Sequence, residues 1–181
     1  TDEVTSAALT PMGDWIVTGS KDGTVRVWNA SGRPRARIDG ASFAGLSPDG
    51  SLILTTAGDG TVSLWDLDGG LRGEMRVEAV LALFSPRGDC VLTVSREGVA
   101  QLWDLTGNQL PGIGSPGGFV RFAAFSPLGA WIVTVSADGT ADVWPLSGAG
   151  HRTPSRWSTS CYRRRAWRPS APRASGGRPR S

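Results

Sequence analysis

Apolar and polar positions follow one another in a pattern that this chain repeats four times. Each copy opens with a short β-prone stretch: VTSAAL (4–9), SFAGLS (42–47), VLALFS (80–85) and VRFAAFS (120–126). A proline follows each, and its missing amide marks the end of the strand. Near-continuous apolar runs come next: WIVTGS, LILTTA, CVLTVS and WIVTVS. Such runs predict strands buried on both faces. Acidic-glycine turns then interrupt the pattern at Lys21-Asp22-Gly23, Gly58-Asp59-Gly60, Arg96-Glu97-Gly98 and Ala137-Asp138-Gly139. Glycine adopts a positive φ without steric penalty and aspartate caps the turn, so each predicts a hairpin. The third strands are TVRVW, TVSLW, VAQLW and TADVW. Alternation places Val25 and Val27 on one face and Arg26 and Trp28 on the other. A weaker fourth strand is expected near 34–38, 71–77 and 109–113, and none is evident after Trp144-Pro145.

The spacing inside the copies is fixed. The turn acid stands 11 residues after the proline, and tryptophan 5 residues after the turn glycine. The tryptophans Trp28, Trp65, Trp103 and Trp144 lie 37, 38 and 41 residues apart, so length varies only between copies. Ordering about 40 residues costs ~1–2 kcal/mol each in backbone entropy. One small sheet cannot offset that alone, so each needs neighbours on its faces. Four antiparallel strands per copy, stacked sheet on sheet, predict an all-β propeller with four four-stranded blades, as a partial or open ring.

The endings DGTVRVWN, GDGTVSLWDL, REGVAQLWDL and ADGTADVWPL resemble those of WD-repeat β-propellers, and the resemblance covers about residues 4–144. It makes Asp22, Gly23, Trp28, Asp59, Gly60, Trp65, Gly98, Trp103, Asp138, Gly139 and Trp144 the structural signature of the repeat. The full Trp-Asp pair survives twice, as Trp65-Asp66 and Trp103-Asp104. The family's Gly-His dipeptide before the first strand is absent from every copy. In the family that histidine joins a hydrogen-bond network with the turn Asp, a strand Ser or Thr, and the Trp. Here Ser20, Ser95 and Ser136 are candidate partners, while Ala57 breaks the serine position and Glu97 replaces the aspartate. The resemblance implies a protein-interaction scaffold. It also implies a binding face at the hairpin turns, where Lys21 and Arg96 are candidate partner contacts.

The blades are expected at about 4–38, 42–77, 79–113 and 119–146, within a repeat region of 1–146. The start inside a repeat and the early stop of the fourth copy suggest a piece of a larger propeller. The alternative is two chains pairing through open blade faces.

Charge changes the picture at one place. Residues 1–144 hold 10 basic and 16 acidic side chains, a balance of −6; residues 145–181 hold 9 arginines and no acid. Residues 147–181 contain no Leu, Ile or Val and are expected to be a disordered Arg/Pro/Ser-rich tail. Arg163-Arg164-Arg165 beside Tyr162 and Trp167 offers phosphate contacts and stacking for nucleic acid. The competing readings are a nonspecific tail or out-of-frame translation, and nucleic acid is disfavoured as the partner. One lysine against eighteen arginines suggests a GC-rich, bacterial source.

Chemistry is thinly supplied. The only histidine, His151, lies in the tail, so no Ser-His-Asp triad is expected. Cys90 and Cys161 predict neither a disulfide framework nor a zinc site. The glycine-rich 112–118 stretch lacks the Lys-Ser/Thr of a phosphate loop. No apolar run approaches the ~20 residues that span a bilayer. The expectation is a cytoplasmic, non-enzymatic module without cofactor or metal, whose partners are other proteins; a propeller enzyme is the disfavoured alternative.

Overall fold

The computed structural model describes residues 2–111, 113, 118–146 and 155–158, with side chains throughout except at 43, 44 and 155–158. Among these residues the chain forms only strands and turns. The first sheet contains β1 (Val4–Leu9), β2 (Trp15–Ser20), β3 (Thr24–Asn29) and β4 (Pro34–Asp39). The second contains β5 (Phe43–Leu46), β6 (Leu52–Thr56), β7 (Thr61–Asp66) and β8 (Leu71–Arg76). β9 (Ala79–Phe84), β10 (Val91–Ser95), β11 (Ala100–Trp103) and β12 (Gln109–Leu110) make the third. β13 (Val120–Phe125), β14 (Trp131–Ser136), β15 (Thr140–Pro145) and β16 (Ser155–Ser158) make the fourth. Every sheet is an antiparallel meander in chain order.

β16 corrects the expectation that the fourth copy lacks a last strand and that the tail begins at 147 without structure. It pairs with β15, placing Arg156 opposite Asp142 in register. A backbone needs no aliphatic side chains to add a strand to an open edge, which is why hydropathy missed it. His151, Cys161, Tyr162, Trp167 and the Arg163-Arg164-Arg165 run lie outside the described residues, as do Gly112 and 114–117 of the glycine-rich stretch. β12 is also shorter than the expected 109–113.

Register puts the same residues opposite each other in every sheet. Ile16 faces Trp28, Ile53 faces Trp65, Val91 faces Trp103 and Ile132 faces Trp144. One residue along, and on the opposite face, Val17 pairs Val27, Leu54 pairs Leu64, Leu92 pairs Leu102 and Val133 pairs Val143. Each sheet therefore has a tryptophan face and an aliphatic face, as alternation along TVRVW requires.

The sheets stack aliphatic face against tryptophan face. Val17, Val25, Val27 and Ile38 of the first sheet pack with Ile53, Leu46 and Trp65 of the second. Leu54, Val62, Leu64 and Met75 of the second pack with Val91 and Trp103 of the third. Leu92, Val94, Ala100 and Leu102 of the third pack with Ala123, Ile132 and Trp144 of the fourth. These three seams are the hydrophobic core.

Backbone hydrogen bonds lace the seams along one rim. The turn glycine carbonyls of Gly23, Gly60 and Gly98 accept from the N–H groups of Ala41, Ala79 and Val120 at 2.8–3.0 Å. Each acceptor belongs to one sheet, and each donor stands at the entry to the next. At Gly60 the close approach and the backbone angle both demand glycine: φ is +82°, and a Cβ would collide with the Glu78 and Ala79 backbone. Glu78 itself, between the second and third sheets, has φ +45°, unlike any other described non-glycine residue.

Candidate functional site

The constant feature of each sheet is a tryptophan–threonine bond. The indole Nε1–H of Trp28 donates to Thr18 Oγ1 at 3.0 Å, and that of Trp65 to Thr55 at 2.9 Å. Trp103 donates to Thr93 at 2.8 Å and Trp144 to Thr134 at 3.0 Å. The network partner is therefore the threonine ten residues before the tryptophan, not the serine two places nearer the turn. That threonine is present in all four copies, and its fixed spacing was the available signal. The expected serines do other work. Ser20 Oγ accepts the Asp22 N–H at 3.3 Å, and Ser95 Oγ accepts the Val99 N–H at 3.2 Å. Ser136 Oγ is buried without a partner.

The turn aspartates hold the hairpins. Asp22 Oδ1 accepts from the Thr24 N–H at 3.1 Å and the Thr24 hydroxyl at 2.6 Å. Asp138 makes the same pair with Thr140, and Asp59 accepts the Thr61 N–H at 2.9 Å. Glu97 has no threonine to meet in the third copy, where Val99 follows; Ser95 caps that turn instead. Chiefly because of the Thr24 hydroxyl, the Asp22 carboxyl sits at about 2, below its ordinary 3.8. Asp59 is lowered mainly by the Thr61 amide.

Space remains beside two of the tryptophans. A cavity of about 680 Å³ opens beside Thr55, Asp59, Ser63 and Trp65, and extends to Asp39 and Glu78. A smaller one, about 80 Å³, lies along Thr18, Asp22, Arg26 and Trp28. Both adjoin the polar side of the tryptophan face.

The rim carries the candidate contacts. Lys21, Gly58, Arg96 and Ala137, each preceding the turn acid, are all exposed. Lys21 Nζ meets Glu3 Oε2 at 2.6 Å, and both groups are more than half exposed. The amides of Lys21, Arg96 and Ala137 donate to the carbonyls of Glu3, Glu78 and Phe119, which pins each turn to the start of its own sheet. Across the first seam, Arg35 lies 4.1 Å over the Trp15 ring while its Nε meets Asp68 Oδ1 at 2.7 Å. Cys90 is buried, and desolvation pushes its thiol up to about 11, so it is no nucleophile at neutral pH. Among the described residues no group of His, Cys, Asp and Glu is arranged to hold a metal. Among them, too, no helix is long and apolar enough to cross a membrane.

The four sheets share a meander order, a tryptophan–threonine bond and an acidic-glycine turn. The model of the "WD domain, G-beta repeat" family matches residues 1–29, 38–66 and 109–145. This chain belongs to the WD40 repeat family. The unmatched 67–108 stretch contains the third copy's Glu97-Gly98-Val99 turn, yet its sheet keeps the architecture and the Trp103–Thr93 bond of the other blades. A comparison with curated proteins gives no match. WD40 repeats generally mediate protein–protein interaction, and WD40 proteins are usually scaffolds without catalysis.

Proposed function

We propose that this chain is a scaffold that recruits a protein through the rim formed by its hairpin turns. The observation that carries this reading is the contrast between a constant frame and variable tips. One backbone bond recurs in every turn, from the N–H of Gly23, Gly60, Gly98 and Gly139 to the carbonyl three residues earlier, while the exposed residue before the acid changes from Lys21 to Gly58, Arg96 and Ala137. A fixed backbone that presents different side chains side by side is what selective recognition requires, since little ordering is left for binding to bring about. Lys21 and Arg96 are its cationic contacts, and no catalysis, metal or cofactor takes part. Charge reversal at each, Lys21→Glu and Arg96→Glu, should weaken capture of the partner that wild-type protein retains from cell extract. Equal capture by both variants would remove the rim from the interface.

A further inference from the structure

The first blade supplies a guanidinium to its own turn aspartate, and the second does not. Arg26 stands four residues after Asp22 on the tryptophan face, opposite Thr18, and its Nη2 meets Asp22 Oδ2 at 3.2 Å. In the second blade the same four-residue step leads from Asp59 to Ser63, which stands opposite Thr55 in the same register. Serine brings no charge to that position. The cleft of about 680 Å³ described above opens over this serine, with Thr55 and Trp65 beside it. Asp39, Gly40 and Ala41, at the step from the first blade to the second, complete its lining. Ser63 is 8% exposed and faces the cleft, and its hydroxyl has no hydrogen-bond partner among the described residues.

The charge around the cleft is acidic. Asp39, Asp59, Glu74 and Glu78 line it against one cation, Arg76. Arg76 holds Glu74 at 2.9 Å, and Arg37 holds Asp39 at 2.8 Å. Asp59 and Glu78 have no ion pair among the described residues: Asp59 accepts the Thr61 N–H, and Arg76 acts on it only through space. Two unpaired carboxylates, an indole wall and a buried hydroxyl suit a flat cation with several N–H donors. A guanidinium presents five donors in one plane and stacks on aromatic rings, whereas an ammonium is a strongly hydrated point charge. Ala41, Ala57 and Val77 line the same cleft and match an aliphatic stem.

We propose that this cleft takes an arginine side chain of the protein that the scaffold recruits, its guanidinium reaching Asp59 and Glu78 as Arg26 reaches Asp22 in the first blade. The first blade is thus an internal template for the occupied site, and the second is the same site with its cation left to a partner. That the arginine comes from a recruited protein rests on the scaffold reading above. The guanidinium site itself rests on the cleft and its lining, and needs neither Lys21 nor Arg96.

The test titrates an acetylated, amidated Gly-Arg-Gly peptide into the full chain at low salt, followed by calorimetry, with citrulline and lysine peptides for comparison. The arginine peptide should bind saturably. The citrulline peptide, alike in shape but uncharged, should bind at least ~10-fold more weakly, and the lysine peptide more weakly too. Asp59→Asn keeps an acceptor for the Thr61 amide and should weaken arginine binding at least ~10-fold. Ser63→Arg should abolish it by placing a guanidinium inside the cleft, as Arg26 does in the first blade. No saturable binding overturns the proposal, whether the cleft is idle or filled by the chain's own C-terminal arginines. So does citrulline or lysine binding equal to arginine, or arginine binding undiminished in Asp59→Asn. Circular dichroism reports whether each variant folds; if Ser63→Arg does not, Asp59→Asn and the peptide series decide. The rim reading fails on capture by the Lys21 and Arg96 variants and this one on the peptide titration, so the two failures are distinguishable.

Discussion

Trp144 and Thr134 are joined by a 3.0 Å hydrogen bond in which both partners are buried, while the same bond between Trp28 and Thr18 lies at a partly open face. The four bonds are chemically alike and differ in their access to water. Thr134→Val leaves a buried indole N–H unsatisfied and should lower stability by about 1–3 kcal/mol. Thr18→Val should cost less, because water can replace the lost acceptor. Urea unfolding of the two variants side by side checks the order.

Asp142 is another polar group of that seam, fully buried, with neither carboxylate oxygen hydrogen-bonded. Its register equivalent in the second blade is Ser63. Burying a carboxylate without a partner is unfavourable. Asp142→Ser should therefore raise stability by about 1 kcal/mol or more. A fall in the melting temperature instead would mean that a cation reaches this carboxylate in solution.

Glu78 and Gly60 form a strained pair between the second and third blades. The left-handed backbone at Glu78 costs a side-chain-bearing residue about 1 kcal/mol. Glu78→Gly should recover up to that amount, less the entropy a glycine adds to the unfolded chain. Gly60→Ala meets both a positive φ and the Glu78 backbone, and should cost more than ~2 kcal/mol. Thermal unfolding of the two variants should move in opposite directions.

Acid should weaken the hairpins. The folded carboxyl of Asp22 lies at about 2, below its ordinary 3.8, so the folded state holds the ionised form more firmly than the unfolded chain does. Its contribution is present above about pH 4 and is lost as the pH falls toward 2. Asp49, Asp59 and Asp89 shift in the same direction, each mainly through hydrogen bonds from neighbouring residues. The unfolding midpoint should decline between pH 4 and 2. In Asp22→Asn the slope of that decline should be smaller.

Strand positions were legible because spacing, alternation and acidic-glycine turns all point the same way in each copy. The division into tryptophan and aliphatic faces was readable from TVRVW alone. The hydrogen-bond partner of the indole was not. Ser20 and Thr18 lie on the same face of one strand, and which one the ring reaches depends on its lean along the sheet. The choice fell to Thr18, diagonal to Trp28, and Ser20 was left to the turn. β16 was hidden for a different reason, since edge pairing is a backbone property and its sequence is polar. The left-handed Glu78 has no sequence signature, because it is imposed by where the next blade begins.

The lacing of the blades bears on how the chain acquires its structure. Gly23 bonds to Ala41, Gly60 to Ala79 and Gly98 to Val120, while each indole closes a loop of only ten residues. These pairs thus join segments of the same or the adjacent blade, which keeps the loop-closure entropy modest. Folding can begin at any hairpin and spread to its neighbours. On the ribosome each blade can dock on the one made just before it.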